Sequence, residues 1–245
     1  EQAGQHGKTD IFCPMYYGYE GCDWYSKNDN QRPLIQCEYS HTMGNSGGGF
    51  KEYWDMVRKY PKYQGGFIWD WADQGILKRN NERTRNIPAP EIYGYGGDFH
   101  KDDASDQNFC NNGVVAPNRE LHPHAYEIAQ QYQNIWVTAA DLQKGEINIY
   151  NENFFRNLKN YTLSWEILEN GVATQTGIIA DLNVEPQKTV KVTLPYSLEG
   201  ICLCKEIHLN VYFSLKNSDG LRPAGQKVAG NQLAIREKAE KEIAP

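Results

Sequence analysis

The spacing of apolar residues changes near residue 130, and this change constrains the fold more than any other feature of the sequence. Before it, short apolar runs bounded by proline and glycine alternate with a helical pattern, as in buried parallel strands joined by helices. After it, apolar and polar residues alternate one by one, as in strands with one buried face. The sequence therefore predicts an α/β part followed by an all-β part.

Three apolar runs in the first half predict parallel strands at residues 10–15, 32–37 and 65–69. Between the last two runs, residues 49–60 carry aromatic and aliphatic side chains at i, i+3, i+4 and i+7, which predicts an amphipathic helix. Pro61 ends it. A strand, a helix and a second strand at this spacing form a βα repeat.

In the second half, residues 161–167, 190–194 and 207–213 alternate between apolar and polar side chains. Turn signals follow at residues 169–171 and 217–220, where asparagine and glycine are concentrated. We expect about seven strands of this kind, the number found in an immunoglobulin-like β-sandwich.

Composition excludes several classes of protein. A net charge of -6 argues against a nucleic-acid surface, which needs clustered basic residues. No apolar run approaches the roughly 18 residues of a membrane-spanning helix, so no membrane partner is expected. The six cysteines lack the CxxC spacing of zinc sites, and we expect free buried thiols. Aromatic residues make up 12% of the chain, which suits either a sugar site or a tyrosine-rich core.

Chemistry-bearing residues follow each predicted strand of the first half. Met15 and Tyr16 follow the first strand, Glu38 the second, and Trp69 ends the third. In a (β/α)₈ barrel the carboxyl ends of the strands face the active site. The alternatives are a buried Glu38 paired with an arginine, and a Trp69 that belongs to the core.

Five ordered motifs give the first half a specific resemblance. They are DIFCPMY (Asp10–Tyr16), CEYSHTMGNS (Cys37–Ser46), YPKYQGGFIWDWADQ (Tyr60–Gln74), YGGDF (Tyr95–Phe99) and DQNFCNNG (Asp106–Gly113). Together they resemble the large bacterial β-galactosidases of glycoside hydrolase family 2, with a looser resemblance in the second half. The implied fold is the C-terminal portion of a (β/α)₈ TIM barrel followed by an immunoglobulin-like β-sandwich.

The resemblance also implies a mechanism. Glu38 matches the catalytic nucleophile of a retaining glycosidase, which forms a covalent galactosyl-enzyme intermediate. Such a mechanism needs a second carboxyl group about 5–5.5 Å away that acts as the acid and base. Tyr16 matches a tyrosine that hydrogen-bonds the nucleophile.

The same resemblance implies the binding residues. His41 matches a histidine that binds galactose hydroxyls, Trp69 the tryptophan that packs on the galactose ring, and Met15 an apolar neighbour of the nucleophile. The carbonyl of Phe109 and the side chain of Asn112 match ligands of a sodium ion, and Asn112 is also placed among the sugar-binding residues. For Asp106, in the same loop, we expect only a role in ordering the loop.

The acid and base residue is not visible in the sequence. In the family it follows an asparagine well upstream of the nucleophile, near the magnesium ligands, and no Asn-Glu pair precedes Glu38 here. Glu20 is the only acid in a comparable region besides Asp10, Asp23 and Asp29, and no recognisable motif surrounds it. A complete barrel also takes roughly 250 residues. We therefore expect about the last three strands of a barrel, magnesium ligands outside this chain, and no activity of the chain alone.

These expectations divide the chain into a partial TIM barrel (1–130), a sandwich domain (131–235) and a charged linker or tail (236–245). The chain begins with Glu1 rather than methionine and shows no signal peptide, so we expect a piece of a longer protein. Its expected partners are a β-galactoside, the rest of the barrel and further copies in a homo-oligomer. The compartment is not determined, with the cytoplasm favoured over the periplasm.

Two segments depart from the family pattern. Residues 21–31 are shorter than in relatives and are expected to form a loop, whereas the basic residues 78–90 are expected to form a surface insertion.

Two other functions stay open. The alternatives to a β-galactosidase are another family 2 glycosidase, a β-glucuronidase or a β-mannosidase, and a non-catalytic carbohydrate-binding or structural module.

Overall fold

The computed structural model of this protein describes residues 9–28, 31–79, 91–100, 102, 104–202 and 204–237. The chain divides into two compact units between Gln131 and Tyr132. None of the helices in these described ranges is long and apolar enough to cross a membrane.

The first unit combines parallel strands, an antiparallel hairpin and helices. In chain order its helices and strands are α1 (Tyr19–Lys27), β1 (Leu34–Tyr39), α2 (Phe50–Lys59), β2 (Tyr63–Ile68), β3 (Ile76–Arg79), β4 (Glu91–Gly94) and α3 (Pro123–Gln131). Strands β1 and β2 pair in parallel, and β3 and β4 pair antiparallel. Short 3₁₀ turns at Gly96–Asp98 and Gln107–Cys110 shape the long connection before α3.

The parallel strands lie close to where the sequence predicts them. Strands β1 and β2 correspond to the second and third apolar runs. The first run, residues 10–15, is extended beside β1 but is joined to it only by isolated parallel bridges to Leu34 and Glu38. Pro14 lies within this run and has no N–H to donate, which explains why the ladder is interrupted there.

The predicted amphipathic helix is confirmed as α2. Gly49 precedes it with φ 68°, in the left-handed region that favours glycine. The N–H of Phe50, which no earlier turn of the helix can satisfy, donates to Oε1 of Glu127 at 3.0 Å. The Tyr53 ring packs edge-on against Tyr39 at 5.2 Å, so α2 covers the end of β1.

The prediction that residues 21–31 form a loop is wrong for most of the segment, because α1 covers it as far as Lys27. Cys22 and Tyr25, three positions apart, are both buried on one face of this helix. The Tyr25 ring stacks on Phe12 with centroids 4.3 Å apart. Burial of this face supports a helix that the length of the segment did not suggest.

The basic segment 78–90 begins in a strand. Lys78 and Arg79 form the end of β3 and pair with Ile92 and Glu91 of β4. These two residues therefore lie in an antiparallel strand pair, and the surface insertion stays a prediction. Residues 80–90 lie outside the described part of the chain.

The second unit is antiparallel throughout its described strands. These are β5 (Ile135–Asp141), β6 (Glu146–Asn151), β7 (Tyr161–Glu169), β8 (Val172–Ile179), β9 (Thr189–Thr193), β10 (Ile207–Leu215) and β11 (Lys227–Arg236). One sheet has the order β11-β10-β7-β8 and the other the order β5-β6-β9. The count of seven in the described ranges agrees with the prediction, whereas the immunoglobulin-like assignment stays a prediction.

Both sheets of the second unit contribute side chains to one buried core. Strands β6 and β7 alternate between buried and half-buried positions, as the period of two predicts. Fully buried aliphatic and aromatic residues come from β6, β7 and β10: Ile147, Ile149, Leu163, Ile167, Leu209, Val211 and Phe213. Asn170 and Gly171 both have positive φ in the turn between β7 and β8, which confirms that turn.

Two expectations for the second unit are corrected. Strand β11 continues to Arg236, which pairs with Ile207, so the predicted charged tail starts inside a strand. Residues 238–245 lie outside the described part of the chain. Cys202 and Cys204 are joined by a disulfide with Cα atoms 5.2 Å apart, so these two cysteines are not free thiols. Of the four free cysteines, Cys22 is buried and the others are half-buried.

Candidate active site

Tyr16 and Glu38 are brought together by the extended segment that runs beside β1. Met15 forms a parallel bridge with Glu38, and the N–H of Tyr16 donates to the Glu38 carbonyl at 2.8 Å. Tyr16 has φ 49°, a conformation uncommon for a residue with a side chain. This turn of the backbone lies where the segment leaves β1. The structure therefore places the predicted nucleophile and the predicted tyrosine side by side.

The phenol of Tyr16 interacts with the carboxylate of Glu38. Burial, followed by the side-chain hydrogen bond to Glu38 and the negative charge of that group, raises the pKa of Tyr16 well above its ordinary value. Cys37 and Asp70 contribute smaller effects in the same direction. The phenol consequently keeps its proton at neutral pH and can donate it in a hydrogen bond to the carboxylate.

His41, Phe109 and Asn112 form a second group. Nδ2 of Asn112 lies 3.2 Å from Nε2 of His41 and donates to the Phe109 carbonyl at 2.9 Å. Asn112 is only 1% exposed, and its Oδ1 is buried without a hydrogen-bond partner in the described structure. The His41 ring centroid lies 5.4 Å from that of Phe109 and 5.9 Å from that of Tyr16. His41 therefore links this group to the Tyr16–Glu38 pair.

Trp69 directly follows β2 and lies beside the end of β1. Its N–H donates to the Tyr39 carbonyl at 3.2 Å, and its own carbonyl accepts from the N–H of Thr42 at 3.4 Å. The peptide bond between Trp69 and Asp70 is cis. The side chain of Trp69 is 39% exposed and so presents part of its ring outside the core.

A cavity of about 480 Å³ adjoins these residues. Trp69, Phe109 and Asn112 line it, together with Asp106 and the aromatic ring of Phe99. The other predicted site residues, Met15, Tyr16, Glu38 and His41, are not part of its lining. Trp69 and two members of the second group thus line the cavity, whereas His41 and the Tyr16–Glu38 pair do not.

Asp106 precedes the 3₁₀ turn Gln107–Cys110, and its side chain makes no capping hydrogen bond. Its carbonyl accepts from the N–H of Phe109 at 3.2 Å. The contact to Phe109 is therefore made through the backbone of Asp106 and not through its carboxylate.

The sequence reasoning missed a set of polar residues that hold the loop carrying Asn112. Oδ1 of Asp73 accepts from the N–H of Gly113 at 2.8 Å, and Oδ2 lies 2.9 Å from Nε2 of His122. Nε2 of His124 lies 3.1 Å from the Gly113 carbonyl. The available signals were an acid within the GGFIWDWADQ motif and a His-Pro-His sequence at the start of α3.

Asp70 was also missed. Its Oδ2 accepts from Nε2 of Gln74 at 2.7 Å, while Oδ1 is buried without a partner in the described structure. Its negative charge is one of those that raise the pKa of Tyr16. Asp70 is therefore the second carboxylate that acts on the phenol beside Glu38.

The acids upstream of Glu38 have other surroundings where the structure describes them. Glu20 lies exposed in the first turn of α1. Asp23 accepts from the Tyr60 hydroxyl at 2.7 Å and pairs with Lys27. Asp10 is exposed, and Asp29 lies outside the described residues. Within the described ranges, no three His, Cys, Asp or Glu side chains form a cluster that could hold a metal ion.

Comparison with known proteins identifies the family of both units. Residues 9–137 match the family model described as "Glycosyl hydrolases family 2, TIM barrel domain", and residues 147–236 match "Beta-galactosidase, domain 4". The first unit therefore corresponds to part of a TIM barrel domain of the glycoside hydrolase class. The chain belongs to glycoside hydrolase family 2, which confirms the resemblance predicted from the motifs.

Curated relatives named beta-galactosidase match nearly the whole chain. It is 36% identical to the protein of Photobacterium profundum over 242 residues, 93% of this chain and 22% of that protein. It is 37% identical to the protein of Pectobacterium atrosepticum over 239 residues, again 93% of this chain and 22% of that protein. The Vibrio vulnificus protein is 36% identical over 246 residues, 94% of this chain. The chain thus spans less than a quarter of the length of these relatives.

Proposed function

We propose that this chain is the nucleophile-bearing segment of a retaining β-galactosidase that hydrolyses terminal non-reducing β-D-galactosides. The observation that carries the proposal is the pairing of Glu38 with Tyr16 at the end of β1. The names of the curated relatives support galactose, rather than glucuronic acid or mannose, as the sugar.

In this mechanism the Glu38 carboxylate attacks the anomeric carbon and forms a galactosyl ester, while a separate acid protonates the departing oxygen. Water then attacks the anomeric carbon and gives a proton to the conjugate base of that acid, and the bond between the sugar and Glu38 breaks. Negative charge returns to the carboxylate in this second step. The protonated phenol of Tyr16 stabilises that charge by donating a hydrogen bond to it.

The other residues would bind and orient the sugar. The exposed part of the Trp69 ring offers an apolar face for the C–H side of galactose, and His41 offers a ring nitrogen for its hydroxyls. Met15, 37% exposed beside Glu38, would provide an apolar contact next to the reacting carbon. Asn112 would orient the His41 ring through the contact between Nδ2 of Asn112 and Nε2 of His41.

Phe109 and Asn112 fit the sodium ion that family resemblance suggests. The Phe109 carbonyl lies beside Asn112, whose buried Oδ1 accepts no hydrogen bond in the described structure. Carbonyl and carboxamide oxygens are hard donors that suit such a cation. Bound there, sodium would supply a positive charge to orient a sugar hydroxyl. Magnesium ligands are proposed to lie outside this chain.

A single carboxylate cannot act both as nucleophile and as acid. We therefore propose that the acid is supplied by sequence outside this chain and that the chain alone does not turn over. The rest of the barrel and further copies of the protein are its proposed partners. The second unit, with two antiparallel sheets around one core, is proposed to be immunoglobulin-like.

The test compares the full-length gene product with this chain, using aryl β-galactoside, β-glucuronide and β-mannoside. We expect the full-length protein to hydrolyse the galactoside, to lose that activity in Glu38→Gln, and to prefer it over the other two sugars. A preference for β-glucuronide or β-mannoside would contradict the assigned sugar. Turnover by this chain alone would contradict the assignment of the acid to other sequence.

A further inference from the structure

The Asn112–Gly113 peptide is held on both sides by groups that the proposed reaction does not use. The Asn112 carbonyl accepts from the N–H of Asp70 at 2.9 Å and from the Thr42 hydroxyl at 2.5 Å. On the opposite side of the same peptide, the N–H of Gly113 donates to Oδ1 of Asp73 at 2.8 Å. Because the peptide is planar and its plane contains the Cα atom of Asn112, fixing both of its polar groups fixes the position of this Cα, from which the side chain leaves the backbone.

The carboxylate of Asp73 is itself oriented by its surroundings. Its side chain is 12% exposed, and Oδ2 lies 2.9 Å from Nε2 of His122. The N–H of Asp73 donates to the Val115 carbonyl at 2.9 Å, which ties the backbone of the acid to the same loop. A carboxylate with both oxygens engaged is a constrained acceptor, and its hydrogen bonds to N–H groups are stronger than those between neutral groups.

Close packing around Gly113 leaves no room for a side chain at this position. A Cβ added to Gly113 would lie 2.1 Å from the backbone nitrogen of Asp73 and 2.6 Å from Cα of Ala72. Glycine is therefore needed at position 113 for the backbone to approach Asp73. His124 completes the arrangement, since its Nε2 lies 3.1 Å from the Gly113 carbonyl.

We propose that Asp73, supported by His122 and His124, is a positioning residue for the site. By holding the peptide after Asn112, it sets the distances from Asn112 to His41 and to the Phe109 carbonyl. Through them it sets the affinity of the site for galactose. This inference rests on the proposed function, because Asn112 and His41 are taken as parts of the sugar site.

The test uses the full-length gene product and measures the dissociation constant for D-galactose by calorimetry, together with KM and kcat on an aryl β-galactoside. In Asp73→Ala we expect the dissociation constant and KM to rise about tenfold, with a smaller change in kcat, because a hydrogen bond to a charged group is lost. Asp73→Asn keeps an acceptor for the Gly113 N–H and is expected to restore most of the affinity.

Glu127→Ala is the matched control. It removes the same kind of hydrogen bond, which the backbone N–H of Phe50 donates to the carboxylate of Glu127, but at the start of α2. We expect galactose affinity within about twofold of wild type. If Asp73→Ala does not fold, His124→Phe provides a second test, since it removes the contact to the Gly113 carbonyl while keeping a ring. Its expected effect is about threefold.

The outcomes separate this inference from the proposed function. Wild-type protein that neither binds galactose nor hydrolyses galactosides would contradict both. If the wild-type protein binds galactose and folded Asp73→Ala, or His124→Phe, binds it with the same affinity, the positioning role alone is contradicted. An equal loss of affinity in Glu127→Ala would also contradict it, because the effect would then follow from general destabilisation.

Discussion

The N–H of Tyr16 donates to the carbonyl of Glu38 at 2.8 Å, and the Tyr16 phenol interacts with the Glu38 carboxylate. The backbone contact fixes where the tyrosine leaves the strand end, and the side-chain contact gives the carboxylate a neutral donor. A donor that keeps its proton stabilises a developing negative charge without transferring the proton itself. The proposed second step of the reaction needs such a group.

Replacing Tyr16 with phenylalanine should therefore slow turnover. We expect kcat of the full-length Tyr16→Phe protein to fall about 10- to 100-fold, since losing a hydrogen bond to a charged group costs about 1.5–3 kcal/mol. Tyr19→Phe is the matched control, because Tyr19 is equally exposed at 42% and its hydroxyl donates to the Gly49 carbonyl instead. Equal kcat values for the two variants would remove Tyr16 from the mechanism.

Sodium dependence provides a second prediction. Replacing sodium with tetramethylammonium should raise KM of the full-length protein, because the proposed site at the Phe109 and Asn112 oxygens would lose its cation. In Asn112→Ala, KM should be high in either salt, whereas Asn111→Ala should keep the wild-type salt dependence. A salt response that survives in Asn112→Ala would place the cation elsewhere.

The thiol of Cys22 gives a pH-dependent prediction. Burial raises its pKa from an ordinary value of 9.0 to about 11, with a hydrogen bond from Tyr63 acting in the opposite direction. The raised pKa keeps the Cys22 thiol protonated in the folded protein. The contribution of this thiol to the free energy of unfolding is complete below pH 9, and it is lost as the pH rises toward 11 because the unfolded chain ionises first. Alkylation by iodoacetamide requires the thiolate.

We therefore expect alkylation of Cys22 in the folded protein to stay slow at pH 9 and to increase only toward pH 11, measured by peptide mass spectrometry. The same peptide in urea-unfolded protein is the control and should react at pH 9. Rapid labelling of Cys22 in folded protein at pH 8 would show that this side of α1 is not buried as described.

The core of the second unit predicts a local change in stability. Ile167 is fully buried on β7, and its replacement by alanine should lower the free energy of opening by about 2–5 kcal/mol. Ile178 on β8 is 71% exposed, so Ile178→Ala should change it by less than about 0.5 kcal/mol. Hydrogen exchange of the β7 and β10 amides in the full-length protein measures both. Equal protection in the two variants would contradict the assigned core.

The parts of the fold that depend on local periodicity could be predicted from the sequence. The spacing of apolar residues in Phe50–Lys59 and the alternation in Tyr161–Glu169 each specify an element without reference to distant residues. Helix α1 was missed because its buried face packs against Phe12, which lies outside the helix. The sequence of the helix alone does not reveal this contact. The continuation of β11 to Arg236 was missed for the same reason, since pairing with Ile207 overrides its charged composition.

The same distinction applies to the site. The motifs predicted which residues to consider, and the structure places Tyr16 beside Glu38 and Asn112 beside His41. The contact between Asp73 and His122 joins residues 49 positions apart, and no local pattern relates them. Such contacts depend on how the loop before α3 folds back on the sheet, and only the three-dimensional structure shows this.

The most direct test of the account is to trap the covalent intermediate. The full-length protein would be treated with 2-deoxy-2-fluoro-β-D-galactosyl fluoride, whose fluorine slows hydrolysis of the galactosyl ester, and digested for mass spectrometry. We expect the sugar to be attached to Glu38 and Glu38→Gln protein to stay unlabelled. A sugar attached to another carboxylate, or an active enzyme that accumulates no covalent label, would contradict the assignment of Glu38 as the nucleophile.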